Sequence, residues 1–348
     1  MVAKIFIDGE AGTTGLQIRE RLADRRDLEL LSIAADKRKD MDERKRLLNA
    51  ADVAILCLPD DAAKESVGLI DNDRTKVIDA STAHRIAPGW VYGFAEMDKG
   101  QSAAIAAAKR VGNPGCWPQG AIATLRPLIE AGLVPADYPL TVHGITGYSG
   151  GGKSMIADYE GAGEDANEFQ PYGLTFKHKH LPELQAYAKL AHAPLFTPAI
   201  GNFAQGMITT VPLQLWTLPK VAHLGAMALS IDGLDGGDGG DAASIHLPHL
   251  GEAHHPRELH AAIADHFAAI SDGFVDVAPL AEAERSDELN PERYNNTNRM
   301  RLHVFANDDK RQAALVAVYD NLGKGASGAA VQNLNLMLGV AADTSLAA

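Results

Sequence analysis

The sequence predicts an α/β chain in two parts. Residues 1–115 form a parallel-sheet domain, residues 116–312 form an α+β domain with a mixed or antiparallel sheet, and residues 313–348 return to the first domain as a helix. Three observations predict this. Apolar strand-like runs alternate with helical segments through the first part, which implies a parallel sheet covered on both faces. A glycine-rich turn joins the first strand to the first helix. Beyond residue 140 the strands become longer, β-branched and alternating, with no full helix between them.

In order, "AKIFID" (3–8) is a buried strand, and "TGLQIRERLADR" (14–25) is a helix with Leu16, Ile18 and Leu22 on neighbouring turns. "LELLSIA" (28–34) and "DVAILCL" (52–58) are strands around the charged helical "KRKDMDERKRLLN". "AAKESVGLID" reads as helix and "KVIDAS" (76–81) as strand. "PQGAIATLRPLIEAGL" is a helix, and "YPLTVHGITGYSG" opens the β-rich part. "NFAQGMITTVPLQLWTL" (202–218) and "AMALSI" (226–231) read as antiparallel strands, followed by a Gly/Asp loop at 233–244. "PRELHAAIADHFAAI" (256–270) is a helix, "NRMRLHVFAND" (298–308) a strand, "KRQAALVAVYDNL" stops at Gly323, and "SGAAVQNLNLMLGV" (327–340) is the last helix. No repeat recurs at a fixed period.

The 348 residues carry a formal charge of −13, which repels phosphate backbones and speaks against nucleic-acid binding. No apolar run has the roughly 18–20 residues a membrane helix needs. The opening "MVAKIFIDGE" enters a strand directly and carries no signal-peptide pattern. Two cysteines without a CxxC pair exclude a disulfide scaffold and a thiolate zinc site. A cytoplasmic protein without a metal site is expected.

"DGEAGTTG" (8–15) places Gly9, Gly12 and Gly15, with Thr13 and Thr14, between a strand and a helix. Small residues there let a pyrophosphate reach the helix N-terminus, so the turn is read as dinucleotide-binding; a tight βα turn without ligand is the plain alternative. Asp36 suits the ribose hydroxyls of NAD, whereas the adjoining Lys37, Arg38 and Lys39 suit the 2′-phosphate of NADP, and the basic run inclines the reading to NADP.

Cys57 lies within an apolar strand and reads as a core residue. Cys116 opens a helix after Asn113, Pro114 and Gly115, where helix N–H groups favour a thiolate and an adjacent oxyanion; packing beneath the helix is its structural alternative. A nucleophilic thiolate beside a nicotinamide cofactor implies aldehyde and acyl chemistry through a thioester, which needs a proton-transfer group. "FKHKHLPE" supplies His178 and His180; the pair could hold a metal, but no third ligand is evident, and most of the 13 histidines read as structural. "GYSGGGKS" (147–154) formally matches a phosphate loop, with "KVIDAS" as a Walker B strand. Its mid-chain place and a following segment interrupted by Gly161 and Gly163 favour instead a loop presenting N–H groups and Lys153 to an anionic substrate. A catalytically silent cofactor sensor would leave Cys116 unexplained.

Together, "GNPGCWPQGAIATLRPL", "DASTAHR", "VYGFAEM", "GYSGGGK", "KHKHLPE" and "DNLGKGASGAAVQN" resemble the N-acetyl-gamma-glutamyl-phosphate reductases of the shorter bacterial type, within the semialdehyde and glyceraldehyde-3-phosphate dehydrogenase-like superfamily. Trp117 and Gln119 stand where an aromatic (Tyr or Phe) and Thr are usual, and Ala95 where Pro is usual. The resemblance implies a Rossmann domain plus an α+β catalytic domain, NADPH as cofactor, a homodimer or homotetramer, and arginine biosynthesis as the setting. It implies Cys116 as nucleophile, His180 as the proton-transfer group and Glu183 as the residue orienting it. Lys37 and Arg38 would read the cofactor, with Asn321 and Gly325 against the nicotinamide. Arg85, Ser149, Gly150 and Lys153 would meet the substrate. Aspartate-semialdehyde dehydrogenase is the nearest enzymatic alternative, and a phosphate-loop NTPase the second.

Overall fold

The structure, a computed structural model, describes residues 2–218, 254–270, 273–280 and 289–347. The first part winds as β1 (Ala3–Asp8), α1 (Thr13–Leu22), β2 (Leu28–Leu31), α2 (Met41–Ala50), β3 (Val53–Leu56), α3 (Asp60–Leu69), β4 (Lys76–Asp79), β5 (Val91–Tyr92), α4 (Gln101–Ala107) and β6 (Arg110–Gly112). Its six strands lie in the order β2-β1-β3-β4-β6-β5, every pair parallel. All four residues of β3 are buried, as a strand with helices on both faces requires. In α1, Ile18 and Leu22 face the core, but Leu16 is 40% exposed. Gly15 takes the buried position instead, because the helix start must press against the turn before it.

The second part contains α5 (Cys116–Glu130), β7 (Thr141–Gly147), α6 (Gly152–Ala162), β8 (Phe169–Pro171), α7 (Leu181–Tyr187), β9 (Leu195–Gly201), β10 (Met207–Gln214), α8 (Pro256–Ala268), β11 (Val275–Val277), β12 (Met300–Asn307) and β13 (Gln312–Tyr319). Its sheet runs β11-β12-β13-β10-β7-β9-β8 and is mixed: β7–β9 and β11–β12 are parallel, the other pairs antiparallel. Burial along β10 alternates, the mark of a sheet covered on one face. The run expected at 202–218 is a turn, then β10, then a single helical turn at Leu215–Thr217. The expected strand at 226–231 and the Gly/Asp loop at 233–244 lie outside the described residues.

Helix α5 is buried nearly all round, since α7, α8 and the sheet enclose it. The last helix, α9 (Gly328–Leu338), buries Ala330, Val331, Leu334 and Met337 in the core of the first part. Lys76 and Arg25 tie it there through Met337 O (2.8 Å) and Asn335 Oδ1 (2.8 Å). The return to the first part begins after Tyr319 and not at residue 313, because β13 is an inner strand of the second sheet.

A buried ion pair lies where the two parts meet. Lys324, with no exposed surface, donates from Nζ to Glu96 Oε2 (2.6 Å) and Gln332 Oε1 (2.8 Å). Glu96 Oε1 accepts from Gln332 Nε2 (2.8 Å) and from the backbone N–H of Phe274 (3.3 Å), ahead of β11. Removing one partner leaves the other charge buried and alone, so Lys324→Met should cost about 3–5 kcal/mol in a denaturant titration, while Glu96→Leu with Lys324→Met should recover most of the loss. Equal losses in the single and double variants would assign the stability to packing.

Candidate active site

The turn after β1 is built by close approach. Gly9 has φ +92°, and a Cβ there would lie 2.3 Å from Cys57 O. A Cβ on Gly15 would lie 2.5 Å from Gly9 O, so both positions require glycine. Gly12 has room for a side chain; its N–H closes the turn on Gly9 O (3.0 Å), and it caps α1 without a side-chain acceptor. The first N–H groups of α1 therefore face outward.

Three cavities follow one another from this turn. The first, about 400 Å³, has Gly9, Ile33, Leu58, Arg38 and Lys39 in its wall. Arg38 lies 3.7 Å from Glu10, which also pairs with Arg19 at 2.7 Å. Of the basic run, Arg38 and Lys39 line this cavity, while Lys37 sits on the neighbouring exposed turn and does not. The second, about 410 Å³, is lined by Gly12, Thr13, Thr14, Cys57, Leu58, Ala80, Gly152 and Lys153. Thr13 Oγ1 is buried there without a hydrogen-bond partner among the described residues. The third, about 180 Å³, shares Thr13, Thr14, Ala80 and Gly152 with the second and adds Arg85, Cys116, Ser149, Gly150, Lys179, His180, Asn321 and Gly325. Lys153 thus belongs with the glycine turn and not with Cys116.

Cys116 begins α5. Its carbonyl accepts from Tyr319 Oη (2.6 Å), and that hydroxyl in turn accepts from the N–H of Gly120 (3.2 Å), so β13 staples the first helical turn. A Cβ on Gly325 would approach Cys116 Cβ to 3.0 Å, which is why the chain is bare there. Burial pushes the Cys116 thiol above its ordinary value; Arg85, the Trp117 N–H and Lys179 pull it down by less. The expected thiolate is therefore not the resting form. Cys57, buried beside Asp79 and Asp8, is pushed up to about 12, which fits its structural reading.

Glu183 does not orient His180. Its Oε1 accepts from Arg85 (2.5 Å), and its Oε2 from Tyr92 Oη (2.9 Å) and from the N–H of Gly115 (3.0 Å). Arg85 is committed as well, with Nε on Asn113 O (3.0 Å) and its other terminal nitrogen on Ala80 O (3.1 Å). The expected substrate arginine is thus a brace of the cysteine turn. The missing Cβ of Gly115 leaves the space in which His180, Arg85 and Glu183 converge, each within 2.7 Å of that point. His180 Nδ1 is buried without a partner among the described residues. Burial, then Arg85, His178 and Lys179, hold its imidazole well below the ordinary value, so it is neutral. Burial likewise lowers His178 to about 4, and its Nδ1 accepts the His180 N–H (3.2 Å).

The 147–154 loop lies in the second sheet, after β7. The segment after it does form a helix, α6, through Gly161 to a stop at Gly163. Three of its amides are nonetheless spent on the facing turn: Gly147 on Gly206 O (2.9 Å), Tyr148 on Phe203 O (3.0 Å) and Ser149 on Ala204 O (3.0 Å). A phosphate loop needs such amides free. Asp79, the supposed Walker B residue, is held by Ser81 and His84 in the other sheet. Asn321 ties this loop down, donating to Ser149 Oγ (3.1 Å) and accepting from Gly206 N (2.7 Å).

Sequence reasoning missed Tyr319 and Lys179. Lys179 was in view within "KHKH", between the two histidines. Trp117 is accommodated by Gly144, whose Cβ would strike its ring at 2.7 Å, and its Nε1 donates to Tyr172 Oη (2.9 Å). Gln119 reaches Lys324 O (2.7 Å).

Residues 4–105 match a family described as semialdehyde dehydrogenase, NAD binding domain, and residues 116–226 its dimerisation domain. In fold the chain is similar to aspartate semialdehyde dehydrogenase II of Vibrio cholerae complexed with ASA (TM-score 0.67, 13% identity, 97% of this chain and 98% of that one). It is similar also to the aspartate semialdehyde dehydrogenase with NADP of Candida albicans (TM-score 0.60, 13% identity, 99% and 100%). The sequence is 65% identical to N-acetyl-gamma-glutamyl-phosphate reductase of Chelativorans sp. (97% of this chain, 99% of the relative) and 64% identical to that of Mesorhizobium japonicum (98% and 100%). At 48% it matches N-acetyl-gamma-glutamyl-phosphate reductase 2 of Nostoc sp. over 99% of both chains. With such identity along nearly its whole length, the chain belongs to the N-acetyl-gamma-glutamyl-phosphate reductase family.

Proposed function

We propose that the chain reduces N-acetyl-L-glutamyl 5-phosphate to N-acetyl-L-glutamate 5-semialdehyde, releasing phosphate, with NADPH as reductant, as a step of arginine biosynthesis. The observation that carries this reading is the shared wall of Thr13, Thr14, Ala80 and Gly152, which joins the glycine-turn cavity to the one holding Cys116. The first two cavities suit a dinucleotide: Gly9 and Gly15 let the turn close tightly before α1, Thr13 Oγ1 awaits a partner, and Arg38 and Lys39 stand where a 2′-phosphate would need cations. Gly325 and the buried Asn321 shape the Cys116 end of that track.

In this reading the Cys116 sulfur attacks the acyl carbonyl, and its proton passes to neutral His180 at Nε2, because Nδ1 is sealed. The C–O bond to phosphate breaks, the phosphate takes one proton from solvent and leaves as the dianion, and a thioester remains on Cys116. When bound, the nicotinamide supplies a hydride to the thioester carbon. N–H groups of the first turn of α5 hold the resulting oxyanion. His180 returns its proton to that oxygen, then takes it back as the C–S bond breaks, the aldehyde leaves and the sulfur departs as thiolate. The thiolate recovers the proton from His180. Ser149 and Gly150 border the substrate. Glu183 and Arg85 hold the cysteine turn rigid, and Lys153 serves the cofactor side. A cytoplasmic homo-oligomer, dimer or tetramer, belongs to the same reading, supported by the dimerisation description and by two free cysteines.

NADP⁺ reduction with N-acetylglutamate 5-semialdehyde should depend on phosphate, and Cys116→Ala should lower it by more than about a thousandfold. Turnover of aspartate semialdehyde alone would transfer the chain to the sister activity. Replacing Arg38 and Lys39 by Ala should raise KM for NADP⁺ by about tenfold to a hundredfold and leave NAD⁺ little changed; equal shifts for both would remove the 2′-phosphate role. Because burial raises the thiol, iodoacetamide labelling of Cys116 in the ligand-free protein should increase with pH and reach half-maximum above the ordinary thiol value of 9.0. A half-point near neutrality would reveal a resting thiolate.

A further inference from the structure

We infer that Lys179 is the anion-binding residue of the Cys116 cavity, the cation that receives the phosphate of the acyl phosphate; the inference rests on the reductase reading. Two lysine or arginine side chains line this cavity, Arg85 and Lys179. Arg85 is 7% exposed, is paired with Glu183, and has its remaining nitrogens on two backbone carbonyls. Lys179 is exposed and forms no ion pair among the described residues.

The backbone aims it. Leu181 N–H donates to His178 O (3.0 Å), closing a four-residue turn with Lys179 and His180 at its centre. His180, at φ −85° and ψ −10°, has the dihedral angles of the third residue of a type I turn. The turn leads directly into α7, whose Glu183 is anchored to the cysteine loop, so Lys179 and His180 enter one cavity from consecutive positions. The Lys179 charge reaches Cys116, His178 and His180. It also reaches Asp60, whose carboxylate is already engaged by Thr82 N–H (2.9 Å) and Oγ1 (2.5 Å). An ammonium suits a phosphate as a flexible point charge. Beside Cys116 it would both dock the acyl phosphate and stabilise the departing dianion.

The test follows the reverse reaction at varied inorganic phosphate. Lys179→Gln should raise KM for phosphate by about tenfold or more and leave KM for NADP⁺ within about twofold, Lys179→Arg should restore most of the affinity, and Lys177→Gln, two residues away and exposed, should behave as wild type. An unchanged phosphate KM in Lys179→Gln, with an active wild type, overturns the inference and leaves the reductase reading intact. A second readout needs no turnover: the ratio of Cys116 labelling by anionic iodoacetate to labelling by neutral iodoacetamide. That ratio should fall severalfold in Lys179→Gln, and any shift of the thiol itself cancels in it. Should the wild type show no phosphate-dependent turnover, the reductase reading fails, and this ratio alone decides whether Lys179 draws anions to the cavity.

Discussion

The site hangs on the carboxylate of Glu183. It is 2% exposed, comes from the second part of the chain, and gathers Arg85 and Tyr92 from the first together with the N–H of Gly115 in the cysteine turn. Tyr187, one turn further along α7, stacks on Tyr92 at 3.8 Å and donates to Arg85 O (2.7 Å). A buried carboxylate of this kind is tolerated because each oxygen has a donor and a full cation stands beside it. The same arrangement forbids casual replacement: without Glu183, Arg85 keeps a buried charge and Gly115 loses its anchor. The angle at which Cys116 enters α5 is thus set by residues far from it in sequence.

Around that anchor, rigidity is built by omission as much as by contact. Gly115, Gly144 and Gly325 are each bare because a neighbour occupies the space of a side chain: the His180–Arg85–Glu183 group, the Trp117 ring, and Cys116 itself. Cys116 is held in turn by Tyr319 from a central strand. Its pKa and that of His180 are displaced in opposite directions by the same cause, burial. Both displacements favour the neutral form, the starting state that the proposed proton transfer from Cys116 to His180 requires.

Much of this was legible in the sequence where the information is local. Strand–helix alternation, the glycine turn, Cys116 at a helix start and the histidine pair all occupy short windows, and all appear where the pattern puts them. What was illegible is long-range. The resemblance put Arg85 with the substrate and Glu183 behind His180, whereas the two pair with each other across 98 residues, a contact no short window of sequence displays. Leu16 fits a helical stripe, yet Gly15 is the inward residue because the turn crowds it. Gly161 and Gly163 suggested a broken helix after the loop; α6 carries Gly161 in its last turn, at a propensity cost of about 1 kcal/mol, and does stop at Gly163. Lys179 was hidden by the histidines on either side of it, which drew the attention that chemistry gives to imidazole.

The Glu96–Lys324 pair has a bearing on motion. Fully buried where the first part, the strand β11 and the segment leading to α9 meet, it acts as a weld in place of a hinge. Drawing the second part away would take the Phe274 N–H (3.3 Å) from a carboxylate that has no water to replace it. Relative displacement of the two parts is therefore resisted at this point, by a contact made of one backbone N–H and a charge that cannot be left bare.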